Sequence, residues 1–158
     1  MRYTTRKATL KDLPVLLEFE QELIREERPM DPTMKEGKIS YYDVGEFIRD
    51  ANAEVFVAEH EGSVIASGCV RIRPDRHYLK HERMGYLGFM YVEKAHRGNG
   101  VNGLIIKELI SWCRKKGLHE IRLDVYEVNG PALRAYEKAG LKKHLAQMRM
   151  DIRDLDLD

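Results

Sequence analysis

A glycine-rich turn joins a strand pattern to an amphipathic helix pattern in this chain, and few folds accommodate that order. Residues 96–103 read HRGNGVNG and follow an apolar run at 85–92 that predicts a strand. Apolar residues then recur at helical spacing over 101–116, and Gly117 is placed to end that helix. A second strand pattern at 120–126 completes a strand–helix–strand unit. We expect its two strands to pair in parallel through a right-handed crossover.

The other patterns place a mixed sheet around this unit. A hairpin turn at 61–62 and a polar tip at 75–83 make the first half of the chain antiparallel. The predicted order is β-α-α-β-β-β-α-β-α-β: an α/β fold with a mixed, mostly antiparallel central sheet and helices on both faces, within a single domain that spans 1–158. The remaining predicted elements are strands at 3–9, 54–60, 63–74 and 142–152, and helices from 9 or 12 to 27, from 40 to 50 and from 129 to 140.

Composition argues against several classes of protein. The 27 basic and 26 acidic side chains leave a net charge of +1, which gives no overall attraction to nucleic acid or to an anionic membrane. The first residues lack a signal-peptide core and no run approaches the ~20 apolar residues of a membrane span, so we expect a cytoplasmic protein. Cys69 and Cys113 lie in apolar runs and are expected to be buried thiols. His77 and His81 lie in a polar loop without a third ligand, and no metal site is expected.

The glycine-rich turn has the chemistry of a phosphate site. A pyrophosphate needs backbone N–H groups, the positive end of a helix dipole and no side chains in the way. Gly98, Gly100 and Gly103 supply the clearance, and the helix that begins at Val101 supplies the N–H groups. Arg97 adds a charged donor at the rim. The residues therefore predict a site for a phosphate or pyrophosphate.

The same glycines match the Gly-x-Gly-x-x-Gly pattern of dinucleotide-binding proteins. The context differs, because five residues, 93–97, separate the strand from the first glycine, whereas a dinucleotide turn follows its strand directly. Only 55 residues follow Gly103, too few for a doubly wound sheet. A nicotinamide-dependent oxidoreductase therefore stays as an alternative on the glycine match alone.

Two segments resemble the signatures of the GNAT superfamily of acetyl-CoA-dependent N-acetyltransferases. Residues 97–102, RGNGVN, are similar to its Arg/Gln-x-x-Gly-x-Gly/Ala motif, with Asn102 where Gly or Ala is usual. Residues 129–141, NGPALRAYEKAGL, are similar to its Asn-x-x-Ala-x-x-x-Tyr-x-x-x-Gly-Phe motif, with Leu141 in place of Phe. The predicted order of elements also matches that family, although the first half of the chain matches only in outline.

The resemblance implies how acetyl-CoA binds as cosubstrate. In this family the strand before the turn splays from the next strand, and its free main chain pairs with the pantetheine arm. The residues at that position are Met90, Tyr91 and Val92. The pyrophosphate would lie on the amides of Arg97, Gly98, Asn99, Gly100, Val101, Asn102 and Gly103. Asn129 would face the pantetheine or the thioester, or it would serve only as a helix N-cap.

The resemblance also implies direct transfer of acetyl to an amine, with Tyr136 as the acid that protonates the leaving CoA thiolate. Some relatives use a carboxylate early in the fourth strand as general base, and Tyr86 occupies that position here. Glu82 and Glu93 are the candidate bases that act through water, beside bulk solvent. A non-catalytic acyl-CoA sensor is a second hypothesis. The sequence leaves open which amine is the acceptor and whether the chain forms a homodimer.

Overall fold

In the computed structural model, which describes residues 2–156, five strands form one sheet in the order β1-β2-β3-β4-β5. Strands β1 to β4 pair antiparallel and β4 pairs with β5 in parallel. The predicted mixed, mostly antiparallel sheet is confirmed. The strands are β1 Thr4–Lys7, β2 Ala53–His60, β3 Ser63–Pro74, β4 Arg83–Val92 and β5 Ile121–Arg122.

Four α-helices accompany the sheet in the described part of the chain: α1 Leu13–Glu27, α2 Val44–Arg49, α3 Val101–Lys115 and α4 Gly130–Lys138. Short 3-10 turns lie at Leu10–Asp12, Arg28–Met30, Lys94–His96 and Ile152–Asp154. Within residues 2–156, no helix has the length and apolar character that a membrane crossing requires.

The helices cover both faces of the sheet, as the patterns predict. Alternate residues of β2 point to opposite faces, so that Val55 packs on one face and Phe56 on the other. Helix α3 packs on the face that carries Phe56, whereas α1 and α2 pack on the face that carries Val55. Cys69 and Cys113 are free, buried thiols on these two faces. The sheet is therefore the middle layer between two apolar clusters.

Two predicted strands differ from the structure. The strand predicted at 142–152 is wrong: these residues pair with no described strand, and Met148 is 92% exposed. An extended pattern becomes a strand only where a neighbouring edge supplies hydrogen bonds, and here the segment is tied to the loop after α1 by an Arg149–Asp31 ion pair instead. The strand predicted at 120–126 pairs only at Ile121 and Arg122.

Candidate active site

A β-bulge in β4 lies at the centre of the candidate site. Phe89 and Met90 together oppose Gly68 of β3, and Phe89 has a φ of +54°, which is rare for a non-glycine residue. The Ser67 hydroxyl donates a hydrogen bond to the Phe89 carbonyl at 3.0 Å, and the Phe89 amide donates to the Tyr42 hydroxyl at 3.2 Å. Side chains from β3 and from the segment before α2 therefore hold the bulge.

One edge of β4 has no paired strand beyond this point. β4 and β5 pair at only two positions, Gly85 with Ile121 and Tyr86 with Arg122. From 87 to 92, no strand of the described chain lies against that edge. This stretch contains Met90, Tyr91 and Val92, the residues predicted to pair with pantetheine. An extended, amide-containing ligand could add to the sheet here.

The glycine-rich turn follows this edge and is open above its main chain. Gly98 and Gly100 have φ values of +75° and +78°, and Gly100 is the residue that caps α3 without any side-chain hydrogen bond. A Cβ built at Gly98, Gly100 or Gly103 would meet no atom within 4 Å. The Val101 side chain is buried and anchors the turn to the core. The N–H groups at the start of α3 have no side-chain cap, and the space beside the three glycines is open, so that a pyrophosphate fits here.

The polar side chains of the turn are already engaged. Arg97 Nη2 pairs with Glu26 Oε1 of α1 at 2.7 Å, and Arg97 Nε donates to the Val92 carbonyl at 2.8 Å. Asn99 Nδ2 donates to the carbonyls of His96 and Arg97, which closes the turn. Asn102 lies half-buried in the first turn of α3. A phosphate at this site would share Arg97 with Glu26.

Helix α4 brings the predicted Tyr136 toward α1 and the segment before α2. Asn129 Oδ1 accepts a hydrogen bond from the Ala132 amide at 3.3 Å, so its side chain forms the N-cap that was one of its two predicted roles. Burial raises the pKa of Tyr136 to about 12, and the nearby Tyr42 and Glu27 act in the same direction. The Tyr136 phenol therefore stays protonated at neutral pH and can donate a proton.

The two predicted bases lie at opposite ends of β4. Glu82 is exposed in the hairpin turn and lies seven residues before Phe89, which corresponds to about 20 Å of strand. Glu93 follows the last residue of β4 and is half-buried. The structure therefore does not bring these two carboxylates together. The Tyr86 hydroxyl donates to Asp124 Oδ2 at 2.6 Å, so a carboxylate from the segment after β5 contacts the tyrosine that occupies the expected position of the base.

Glu27, a carboxylate that sequence reasoning missed, lies close to Tyr136. It is the last residue of α1 and is half-buried, and this burial raises its pKa. The Tyr41 hydroxyl lies 3.4 Å from Met34 Sδ and is close enough to Glu27 to stabilise the charged carboxylate. The charge of Glu27 acts on four phenols, which we call the tyrosine cluster: Tyr41, Tyr42, Tyr126 and Tyr136.

No group of three or more His, Cys, Asp or Glu side chains within residues 2–156 is arranged to hold a metal ion. The groups that the site does present are the main chain of β4, the glycine-rich turn, the tyrosine cluster and two carboxylates, Glu27 and Asp124.

Comparison with known proteins identifies the family. The sequence profile of the acetyltransferase (GNAT) family matches residues 18–141. Glucosamine 6-phosphate N-acetyltransferase of Trypanosoma brucei brucei is 30% identical over 100 residues, which cover 63% of this chain and 65% of that protein. Human N-acetyltransferase 8B is 28% identical over 61% of this chain and 42% of its own length, and yeast N-alpha-acetyltransferase 30 is 32% identical over 48% of this chain and 43% of its own length. The matched region thus spans 65% or less of these relatives.

Solved structures agree on the fold. A tetramutant protein of Bacillus halodurans superposes with a TM-score of 0.83 at 19% identity, covering 94% of this chain and 99% of that chain. A "predicted acetyltransferase with acetyl-CoA" from Clostridium acetobutylicum superposes with a TM-score of 0.69 at 20% identity, covering 98% of this chain and 99% of that chain. The family profile covers more than half of the sequence, and the sheet order and the glycine-rich turn agree with it. The chain belongs to the GNAT family of acetyltransferases.

Proposed function

We propose that this protein is an acetyl-CoA-dependent N-acetyltransferase in which residues 1–158 form one N-acetyltransferase domain. One observation carries the proposal: the unpaired edge of β4 at 87–92 is followed, after a short connection, by an uncapped glycine-rich turn at the start of α3. A ligand with a peptide-like arm and a pyrophosphate fits that order of binding groups. Coenzyme A has both.

The proposal gives each part of the site a role. The main chain of Met90, Tyr91 and Val92 binds the pantetheine arm, and the amides from 97 to 103 bind the pyrophosphate. Asn129 serves as the N-cap that orients α4 toward the thioester. Tyr136 donates a proton to the leaving thiolate, because its raised pKa of about 12 keeps the phenol protonated. The acetyl group passes directly to the amine, without a covalent enzyme intermediate.

The relatives support acetyl transfer to nitrogen but differ in acceptor. Their names describe a glucosamine 6-phosphate N-acetyltransferase, an N-acetyltransferase 8B and an N-alpha-acetyltransferase 30. The Clostridium acetobutylicum neighbour was solved with acetyl-CoA, which supports this donor for a site of the same fold. The identity of the acceptor therefore has to come from the residues of this chain's own site.

Two measurements test the proposal. Acetyl-CoA should raise the melting temperature of the protein and NAD should not, because stabilisation follows from binding to the folded state. A panel of amines should then include at least one that releases CoA thiol from acetyl-CoA. Stabilisation by NAD alone would contradict the proposal, and CoA binding without thiol release for any amine would indicate an acyl-CoA-binding protein instead.

Tyr136→Phe tests the assigned acid. The variant should lose turnover and keep its affinity for CoA, because the phenol acts on the leaving group and not on the phosphates. Tyr78→Phe is the matched control, since Tyr78 is 66% exposed on the hairpin tip. Equal turnover in the two variants would remove Tyr136 from the mechanism.

A further inference from the structure

Glu27 is a half-buried carboxylate without a cationic partner. None of the ion pairs formed within residues 2–156 involves it, and no cation is among the groups that shift its pKa. It ends α1, where the helix dipole is negative and favours a positive charge. A carboxylate that loses solvent without gaining a counter-ion is costly, and such a site gains free energy when a cation binds.

The neighbouring cations are already engaged. Arg97 is held by Glu26 at 2.7 Å. Arg25, in the last turn of α1, pairs with Glu22, and Arg28, the residue after α1, donates to two main-chain carbonyls of the following loop. Asp31, which follows α1, is neutralised by Arg149 at 3.1 Å. Glu26 also acts on Glu27 as a like charge and raises its pKa further. Glu27 is therefore a carboxylate of this region with which no cation is paired.

The walls around Glu27 are aromatic. The rings of Tyr41 and Tyr42 meet edge to face at 5.8 Å, and the Tyr42 ring also packs on Phe89 at 5.5 Å. Tyr126 comes from the segment after β5, and its hydroxyl reaches Asp31 Oδ2 at 3.5 Å. Tyr136 comes from α4. Phenol rings attract a cation through their faces, and they exclude water without adding a competing positive charge.

We propose that Glu27 and the tyrosine cluster form the acceptor subsite, which binds the ammonium group of a cationic amine, and that Glu27 takes the first proton from it. This inference rests on the proposed transferase activity. It names the class of substrate, an amine that is protonated at neutral pH, and it assigns Glu27 as a candidate base in addition to Glu82 and Glu93.

The protons balance across the step. Glu27 takes one proton from R–NH3+, and the neutral amine attacks the thioester carbonyl. The C–N bond forms, the C–S bond breaks, and the thiolate takes a proton from Tyr136. The nitrogen of the new C–N bond then still carries two protons, whereas the amide carries one. That proton restores the Tyr136 phenol, and the proton on Glu27 leaves to solvent, so that one proton is released for each amide formed.

Glu27→Gln tests the inference, with Glu18→Gln as matched control because Glu18 is exposed on the same helix. With a cationic acceptor from the amine panel, Glu27→Gln should lower kcat/KM by about 100-fold, the lower range for a general base. The wild-type kcat/KM should rise with pH as Glu27 loses its proton. The Glu27→Gln variant should show no such rise in its pH profile. Glu18→Gln should behave as the wild type in both respects.

A second readout does not need turnover. Tetramethylammonium is a cation that cannot be acetylated, and its methyl resonance should broaden with the wild type and with Glu18→Gln but not with Glu27→Gln. The neutral tert-butyl alcohol should show no such difference. Equal broadening in the two variants would overturn the ammonium site.

Further outcomes distinguish a failure of the Glu27 assignment from a failure of the proposed transferase function. If the wild type acetylates amines and Glu27→Gln equals its control, the inference fails while the proposed function stands. Loss of activity in Asp124→Asn with normal activity in Glu27→Gln would place the base at the Tyr86–Asp124 pair instead. If CoA neither binds nor is released with any amine, the proposed function itself fails.

Discussion

Removal of the buried Glu20 carboxylate should destabilise the protein and loosen the acceptor subsite together. Glu20 is 1% exposed on α1. Its Oε1 accepts from the Ser40 hydroxyl at 2.9 Å, and its Oε2 accepts from the amides of Tyr41 and Tyr42 at 3.1 and 2.8 Å. These bonds fix the main chain that carries two members of the tyrosine cluster.

The magnitude follows from the donors that Glu20→Ala would leave without an acceptor. A hydrogen bond to a charged group contributes about 1.5–3 kcal/mol, but Ser40 is exposed and can bond to water instead. Two amides then remain unpaired, and loss of the carboxylate also removes its desolvation cost, so we expect a loss of about 3 kcal/mol. For a domain of this size that lowers the Tm by about 6–12 °C. Glu20→Gln should cost only about 1 kcal/mol, because its amide oxygen can still accept both bonds.

Urea denaturation of Glu20→Ala, Glu20→Gln and the exposed Glu18→Ala measures these differences. Glu18→Ala should stay within about 0.5 kcal/mol of the wild type. Glu20→Ala should also raise the KM for the amine while the affinity for CoA is unchanged, because the loosened residues lie on the acceptor side. A Glu20→Ala variant as stable as Glu18→Ala would refute the argument that this carboxylate holds the segment.

Two further expectations follow from the turn and from the first strand. Gly103→Ala should stabilise the free protein by about 0.5–1 kcal/mol, because its Cβ meets nothing within 4 Å, yet weaken CoA binding in calorimetry by narrowing the phosphate space. Hydrogen bonds from Arg6 lower the pKa of Asp12 from 3.8 to about 2. The unfolded chain therefore binds more protons, and the stability from this pair is present above pH 4 and lost as the pH falls toward 2. Since Arg6 is partly exposed, the loss should be about 1–2 kcal/mol, and Asp12→Asn should flatten that part of the curve of unfolding free energy against pH.

The elements predicted correctly are those that a few neighbouring residues determine. The turn at 61–62 adopts positive φ at both residues, and α3 begins at Val101, directly after the glycines that predict its start. The strand predicted at 142–152 fails because pairing depends on a distant edge. The buried face of α1 does not follow hydrophobicity alone: Leu17 is 44% exposed and Glu20 is buried, because the amides before α2 require an acceptor there.

The part of the candidate site that would bind the acetyl donor can be predicted from the sequence, whereas the part that would bind the amine acceptor cannot. The glycine-rich turn and Tyr136 lie within short motifs. Glu27, in contrast, acts electrostatically on phenols that lie 14, 15, 99 and 109 positions further along the chain, at Tyr41, Tyr42, Tyr126 and Tyr136. The one local signal is the seven-residue spacing of Glu20 and Glu27, which places both on one side of α1 facing adjacent tyrosines.

The last two turns of α1 link both halves of the site through carboxylates. Glu20 and Glu27 act on the acceptor side, and Glu26 pairs with Arg97 of the phosphate turn. When a bound phosphate shares Arg97 with Glu26, the charge of Glu26 is less fully neutralised and the electrostatic potential at Glu27 becomes more negative. CoA should therefore strengthen tetramethylammonium binding, and by linkage the cation should strengthen CoA binding by the same factor. Glu26→Gln should abolish this coupling while leaving each ligand able to bind alone. Coupling that persists in Glu26→Gln would show that the two halves communicate by another route.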